Sequence, residues 1–467
     1  MLKYGGVGAA VLTLNASGFL AWPDLSQMLS SGQIASPLVT PFTLPLRIPP
    51  VIQPVGTVQV KDRFDEATLN ELEEVRLKLL EEGMKVDMSV ADHYVLRQQV
   101  TQVQILPPGM PKTTIWGYNG ITPGPTFRVK RGKPVVVTHI NELPVRTCAH
   151  PHGLDVQSAS DGHPAFLLAP AVDGSPARFP TRPFLPGEAQ GCGEEPQEEK
   201  FGTVHEERQD HFYPNMQEAA PLWYHDHSIH RTGRNVYMGL AGFYLIEDDV
   251  EQSLSLPGNP RFDDQREFDV PLVLQDRLIG EDGSLIYPCD GDRPARQGVF
   301  GDVILVNGVP MPFLEVKRRK YRFRFLNGSN ARLYRLALST GEPFTVIASD
   351  GGLLHKPVTT PEILISMSER YEAIIDFKDY PIGTQVILEN RFGRAFGDPI
   401  DEEKTRQIMR FDVVEDADDP SSIPSLLRPR PFADELPESS AVRTRDFRFE
   451  RRGGFWTING EIFEIDR

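Results

Sequence analysis

The sequence predicts an all-β protein of two or three domains with one short N-terminal helix. Three observations carry this expectation. The chain has 467 residues, enough for two to three ordinary domains. Its 41 prolines and 39 glycines punctuate it with turns throughout. From Val100 onward, apolar residues recur with a period of two in short runs bounded by turn residues.

Composition narrows the function classes. A net charge of -16 argues against nucleic acid or anionic membranes as partners. The three cysteines, Cys148, Cys192 and Cys289, are too few and too odd for a disulfide framework, and a Cys192–Cys289 bridge stays open. Val7 to Leu14 is mostly apolar but too short to span a bilayer, so residues 1–35 are expected to be an export-signal remnant or a disordered tail.

In chain order, residues 36–55 carry Pro41, Pro45, Pro49, Pro50 and Pro54 and read as an extended arm. Thr68 to Glu82 is the helix. Thr68 and Glu71 suggest a capping box, Leu69, Leu72, Val75 and Leu79 share one face, and Gly83 stops it. Strands are expected where Thr101, Val103 and Ile105 alternate with Gln102 and Gln104. Further strands are expected at Phe127–Arg131, Val135–Asn141 and Thr147–His152. Ser160-Asp161-Gly162 is a turn. Residues 170–212 show no periodicity and read as a long loop, either bordering a substrate entrance or disordered, with His205 and His211 exposed in it. Strand runs restart after Glu247, at Phe268–Leu278, Asp302–Val306, Lys320–Leu326, Leu333–Leu338, Phe344–Ser349, Glu362–Ile365, Tyr371–Phe377 and Gln385–Leu388. The expected domains are therefore 36–248 and 249–415. An acidic, proline-rich linker over 416–440 and the start of a further unit over 441–467 follow.

The chemistry concentrates in His150-Pro151-His152 and His225-Asp226-His227. Side chains two apart on a strand point the same way, so each pair offers two imidazoles to one face. Convergence of the two pairs would make a four-histidine site, suited to Cu, Zn, Fe or Ni rather than Mg or Ca. Asp226 should then face away from the metal. Cys148 would share the histidine face of a strand. It is read as an extra ligand or, preferably, as a small buried core residue. His163 and His230 are given no ligand role.

The strings around these pairs, Ala149 to Gly153 and Trp223 to Ile246, resemble the multicopper oxidases, in the branch of spore-coat laccase, bilirubin oxidase and phenoxazinone synthase. The same resemblance extends through Trp116–Gly120, Pro123–Thr126, Val306–Gly308, Tyr321–Arg324, Leu326–Asn330, Ser368–Arg370 and Phe455–Gly460. It implies tandem cupredoxin-like Greek-key β-barrels, two complete and a third begun. It implies copper as cofactor, with His150 as a type 2 ligand and His152, His225 and His227 as type 3 ligands. Asp161 would be an acid that helps deliver protons near the cluster, or simply a turn residue. Pro151 stands where such proteins commonly have Leu. No histidine follows His355, so type 1 ligands and half of the cluster ligands are absent from this chain. The resemblance implies one-electron oxidation of phenolic, aminophenolic or pigment substrates with reduction of O2 to water. The remaining ligands would come from a missing C-terminal domain or a partner chain. The opening Leu2-Lys3-Tyr4-Gly5-Gly6 resembles the tail of a twin-arginine signal, implying a periplasmic, extracellular or spore-surface location. The competing expectations are a copper-binding chain without oxidase activity, and a structural or binding protein on the same scaffold.

Overall fold

The computed structural model describes residues 35–170 and 204–461, apart from 82, 84, 85, 207, 230, 262–265, 288, 291, 292, 295–297, 394–399, 402, 403, 430–438, 440, 453 and 454. It also describes the short strand pair 13–14 with 20–21. The architecture is two consecutive double-sheet β sandwiches followed by a hairpin.

The first sandwich begins with β1 (Gly56–Gln59) and helix α1 (Glu66–Glu81). The helix is capped by Asp65, whose Oδ1 accepts the Thr68 N–H at 2.9 Å. The cap therefore lies three residues before the expected Thr68. Leu72 is buried in a small cluster with Val60, Met88, Val136 and Phe212, as the apolar face of α1 requires.

Strand β2 (Val90–Val103) starts ten residues before the alternation visible at Val100. Asp92, His93 and Arg97 hide its period, yet Ala91, Tyr94, Leu96 and Gln98 are buried. It serves as a spine, with β5 (Val135–Asn141) parallel along one side and β1, then β3 (Thr113–Tyr118), antiparallel along the other. β7 (Gln209–Tyr213) completes the five-stranded sheet against β5. The facing four-stranded sheet runs β4 (Phe127–Lys130), β9 (Ala241–Glu247), β8 (Ala220–Asp226), β6 (Ala149–His152). Tyr94, Leu96, Val137 and Tyr213 of the first sheet meet Phe127, Tyr224 and Tyr244 of the second in one core. Gly242 is required there, because a Cβ would sit 2.5 Å from the Tyr224 hydroxyl.

Two expectations over residues 204–213 are corrected. The stretch 209–213 is a sheet strand rather than loop, and His211 is wholly buried rather than exposed. His205 is half-buried. Residues 171–203, the body of the proposed entrance loop, and Cys192 lie outside the described residues, as do residues 1–12, 22–34 and His230. Of Cys289 only the backbone is described, so the Cys192–Cys289 question does not arise.

The second sandwich pairs a seven-stranded with a five-stranded sheet. The first runs β12 (Val309–Pro310), β11 (Val303–Val306), β10 (Asp269–Arg277), β14 (Lys320–Asn327), β19 (Arg370–Asp376), β16 (Phe344–Ser349), β17 (Gly352–Thr360). The second runs β13 (Phe313–Arg318), β21 (Gln407–Asp416), β20 (Gln385–Asn390), β15 (Tyr334–Leu338), β18 (Ile363–Ile365). The eight expected runs all appear, within a few residues. β12, β13, β17 and β21 were not foreseen. Phe323, Phe325, Phe344 and Phe411 fill the space between the sheets.

A buried ionic cluster ties the sandwiches together. Arg324 grips Asp269 through Nε at 2.6 Å and Nη2 at 2.8 Å, and reaches Glu372 at 2.6 Å through Nη1. Arg128, on β4, reaches the same Asp269 at 3.0 Å. The expected linker is anchored over its first part. Asp419 accepts the Lys320 N–H at 3.0 Å, Leu427 donates to the His355 carbonyl at 3.0 Å, and Arg428 pairs with the buried Asp248. Strands β22 (Phe449–Arg452) and β23 (Phe455–Ile458) then pair as a hairpin.

Candidate metal centre

The four predicted ligands come together on the outer face of the four-stranded sheet. β6 and β8 pair antiparallel with His225 opposite His150 and Trp223 opposite His152. The two-residue period therefore sends His150, His152, Trp223 and His225 to one face, while Pro151, Tyr224 and Asp226 face the core. One ring nitrogen each from His150, His152 and His225 lie within 4.8 Å of one another. His227 joins them from just beyond the end of β8, with its ring centroid 5.1 Å from that of His150. His152 Nδ1 and His225 Nε2 are 3.2 Å apart. Two imidazole nitrogens on one ion at about 2.0 Å, at a tetrahedral angle, lie about 3.3 Å apart. The spacing therefore suits a shared ion.

The tautomers suit it as well. His225 Nδ1 donates to the Asp226 carbonyl at 2.7 Å, which leaves Nε2 with a free lone pair. His150 Nδ1 donates to the Asp161 carbonyl, so its Nε2 is free too. His227 Nδ1 is buried and meets no hydrogen-bond partner among the described residues. Burial, with the Arg370 guanidinium next in effect, pushes His152 down to about 4. Burial also lowers His225 and His227. These three rings are neutral near pH 7, the form that ligates a metal.

Asp161 takes the turn position expected of it and lies beside His150. It closes the turn after the short 158–160 helix, and its Oδ1 lies 3.3 Å from His150 Nδ1. Its side chain is 48% exposed, so the carboxyl is open to solvent beside His150. Gly162 sets this turn at φ +72°, where a Cβ would lie 2.3 Å from the Ala149 carbonyl oxygen.

Asp226 faces away from the histidines, as expected, and organises the loops behind them. Its Oδ2 accepts from the Cys148 N–H and the Ser228 hydroxyl, both at 2.9 Å. Its Oδ1 accepts from Asn235 Nδ2 at 2.8 Å and the Ser228 N–H at 3.1 Å. Burial raises its carboxyl to about 6 against these four hydrogen bonds, which pull the other way. Cys148 takes the core role. Its thiol is fully buried, donates to the His163 carbonyl at 3.2 Å and is held protonated by burial. His163 is no part of the converging set.

Several supporting residues carry no sequence signal for a role here. Trp223 stacks on His225 with centroids 4.2 Å apart. Ser228 and Asn235 hold Asp226. Arg370, from the second sandwich, donates to the Pro221 carbonyl at 2.9 Å and so fixes the start of β8. Trp223 and Asn235 stand in the string Trp223 to Ile246, but nothing local marks Arg370 as a neighbour of His152. Pro151 lies on β6, the edge strand of its sheet, where a missing N–H costs least.

Comparison with known proteins follows the same lines. Profiles of the family described as multicopper oxidase match residues 99–175 and 264–410. The bilirubin oxidase of Albifimbria verrucaria is 34% identical across 98% of this chain and 70% of its own length. The laccase of Bacillus subtilis (strain 168) is 37% identical over 65% of this chain, which spans 58% of that protein. The cell division protein FtsP of Escherichia coli (strain K12) is 29% identical over 76% of this chain and 66% of its own. Among solved structures, a laccase from Pediococcus acidilactici superposes with a TM-score of 0.66 at 27% identity, covering 93% of this chain and 75% of that one.

Proposed function

Because the chain belongs to the multicopper oxidase family, we propose that it holds copper through His150, His152, His225 and His227 as part of a laccase-like oxidase. The observation that carries this reading is the convergence of His150, His152 and His225, with His227 beside them. His150 is assigned as a type 2 ligand and the other three as type 3 ligands. When bound, copper would supply one-electron redox chemistry that couples oxidation of a phenolic, aminophenolic or pigment substrate to reduction of O2 to water.

The chain's own residues have narrower tasks. Asp161 orients His150 through its carbonyl and holds a half-exposed carboxyl at Oδ1, 3.3 Å from that ring. Asp226 fixes the backbone on both sides of the histidine pairs. Trp223 stacks on the flank of His225 and lies against His152, bracing both rings. Blue copper requires a thiolate. Cys148 is committed to a carbonyl on the core side, and the sequence has no histidine beyond His355. We therefore assign this chain one half of the cluster ligands, the other half and the type 1 set being supplied by further sequence or a partner chain. The protein is placed outside the cytoplasm in this reading. Among the described residues, no helix is long and apolar enough to cross a membrane.

The test is copper stoichiometry of the purified chain, measured by elemental analysis and electron paramagnetic resonance. His150→Ala with His225→Ala should lose the bound copper of the unaltered chain. Unchanged metal content would sink the assignment. A second reading, a copper-binding chain without oxidase activity, is favoured by the likeness to a protein named for cell division. O2 uptake with a phenolic substrate separates the two.

A further inference from the structure

A second histidine pair lies inside the first sandwich, on the opposite sheet from the metal centre. His139 is on β5 and His211 on β7, in antiparallel register with Gln209 opposite His139 and His211 opposite Val137. The rings share the inner face of the sheet, with centroids 4.7 Å apart. His139 is 2% exposed and His211 is fully buried. Of their four ring nitrogens, His139 Nδ1 and Nε2 and His211 Nε2 meet no hydrogen-bond partner among the described residues. The fourth, His211 Nδ1, lies 3.1 Å from the Tyr213 hydroxyl. Gln209 Oε1, also buried, is without a partner.

Such a cluster is costly as a plain core element, because each stranded buried polar group destabilises the fold. An ordinary core histidine satisfies at least one of its nitrogens, and His139 satisfies neither. Burial lowers His139 to about 3, and His211 in the same direction, so both rings are neutral and present lone pairs. Burial is the cause for His139, and the further influences on His211 come from the titratable rings of His139, His205 and His150.

We propose that His139 and His211 form a buried site for a monovalent d10 cation, Cu(I) or its analogue Ag(I), separate from the four-histidine centre. The donor set selects the charge. Two imidazoles, an amide oxygen and a phenol hydroxyl are all neutral, and the desolvation cost of an ion rises with the square of its charge. A divalent ion would need an acidic partner that the described residues do not provide. A monovalent d10 ion accepts low coordination and favours imidazole over hard oxygen donors. Two imidazoles on one ion at about 2.0 Å place their centroids about 5 Å apart at a tetrahedral angle and about 6 Å apart in line. At 4.7 Å the pair has to open by only a few tenths of an ångström for the bent arrangement, in which further donors complete the ion's shell. The Tyr213 hydroxyl, 3.1 Å from His211 Nδ1, and Gln209 Oε1, on the residue opposite His139, are further donors on that face.

The experiment is an anaerobic Ag(I) titration of metal-free protein against a chromophoric chelator. It uses the His150→Ala, His225→Ala chain, which lacks the four-histidine centre, with and without His139→Phe and His211→Leu. The cysteines are common to both and cancel. The expected result is one equivalent of Ag(I) fewer per chain when the buried pair is replaced. Thermal unfolding without metal should show the pair variant at least as stable as its parent, since the unpartnered nitrogens are gone. If it does not fold, His211→Gln, which keeps a polar group, should give the same loss of one equivalent. Equal stoichiometry in the parent and whichever variant folds would overturn the proposal. Failure of copper binding at His150 and His225 would leave this result untouched, so the two sites are judged apart.

Discussion

Replacing Asp226 tests how the centre is held more directly than replacing any ligand. Asp226→Ala removes the acceptor of four hydrogen bonds, from Cys148 N–H, Ser228 N–H, Ser228 Oγ and Asn235 Nδ2. The Ser228 hydroxyl has the Arg146 carbonyl at 3.4 Å as a fallback. The Cys148 and Ser228 amides and the Asn235 amide group are left buried and unpaired. At about 1–3 kcal/mol each, with some local relaxation, the loss should be about 3–5 kcal/mol. The assay is urea unfolding of metal-free protein, followed by tryptophan fluorescence. Asp226→Asn keeps one acceptor oxygen and should lose roughly half as much. Copper affinity should fall about 10–100-fold in the alanine variant, because residues that orient metal ligands cost that much when removed. His227 N–H donates to the Cys148 carbonyl at 2.6 Å, so a displaced Cys148 moves a ligand. An alanine variant within about 1 kcal/mol of the parent and with full copper affinity would refute the account.

Three further outcomes are expected. Gly162→Ala must force a Cβ against the Ala149 carbonyl at a positive φ. It should cost roughly 2 kcal/mol or more and weaken copper binding by pulling the Asp161 turn off His150, both readable in one denaturation series with and without copper. Arg324→Met leaves Asp269 and Glu372 short of a buried partner and should cost about 3–5 kcal/mol in urea unfolding, with Arg324→Lys failing to restore the two-pronged grip on Asp269. In metal-free protein, His139 is held at about 3 against 6.5 when unfolded, so acid loads protons onto the unfolded chain first. Stability should therefore fall below pH 6.5, by at most about 3 kcal/mol at pH 4 from this group, and His139→Phe should flatten that limb. Glu247, held at about 2 against 4.5, adds its own acid loss only below pH 4.5.

The sequence shows the histidine pairs clearly because the strand period turns His150, His152 and His225 to one face, with His227 following just past the end of β8. The eight runs of the second sandwich stand out for the same reason: their inward residues are Phe, Leu, Ile and Val between clear turns. Strands that carry polar side chains among their buried positions do not show it. β2 carries Asp92, His93 and Arg97, and β17 carries Lys356 between exposed positions, so neither reads as alternation. His211 looked exposed because it follows a long stretch rich in Pro, Gly and Glu. Its burial depends on pairing with β5, some seventy residues away. The linker stretch looked free for a similar reason. Its anchors, Asp248, Lys320 and His355, are far off in sequence. The supports of the centre were hidden likewise, since Asn235 and Arg370 reach it only through tertiary contacts.

Pro151 bears on how this chain behaves among copies of itself. β6 is four residues long and pairs with no strand but β8 among the described residues, while the Asp161–Gly162 turn covers its Ala149 end. An open edge with free N–H groups is a template on which another chain can add a strand and begin to aggregate. The proline removes one of those donors at the middle of the edge, between the two histidines that most need it straight. The same residue that leaves the ligand geometry intact therefore blunts self-association at the place where the sheet is most exposed to it. Solubility and metal site are protected by one side chain.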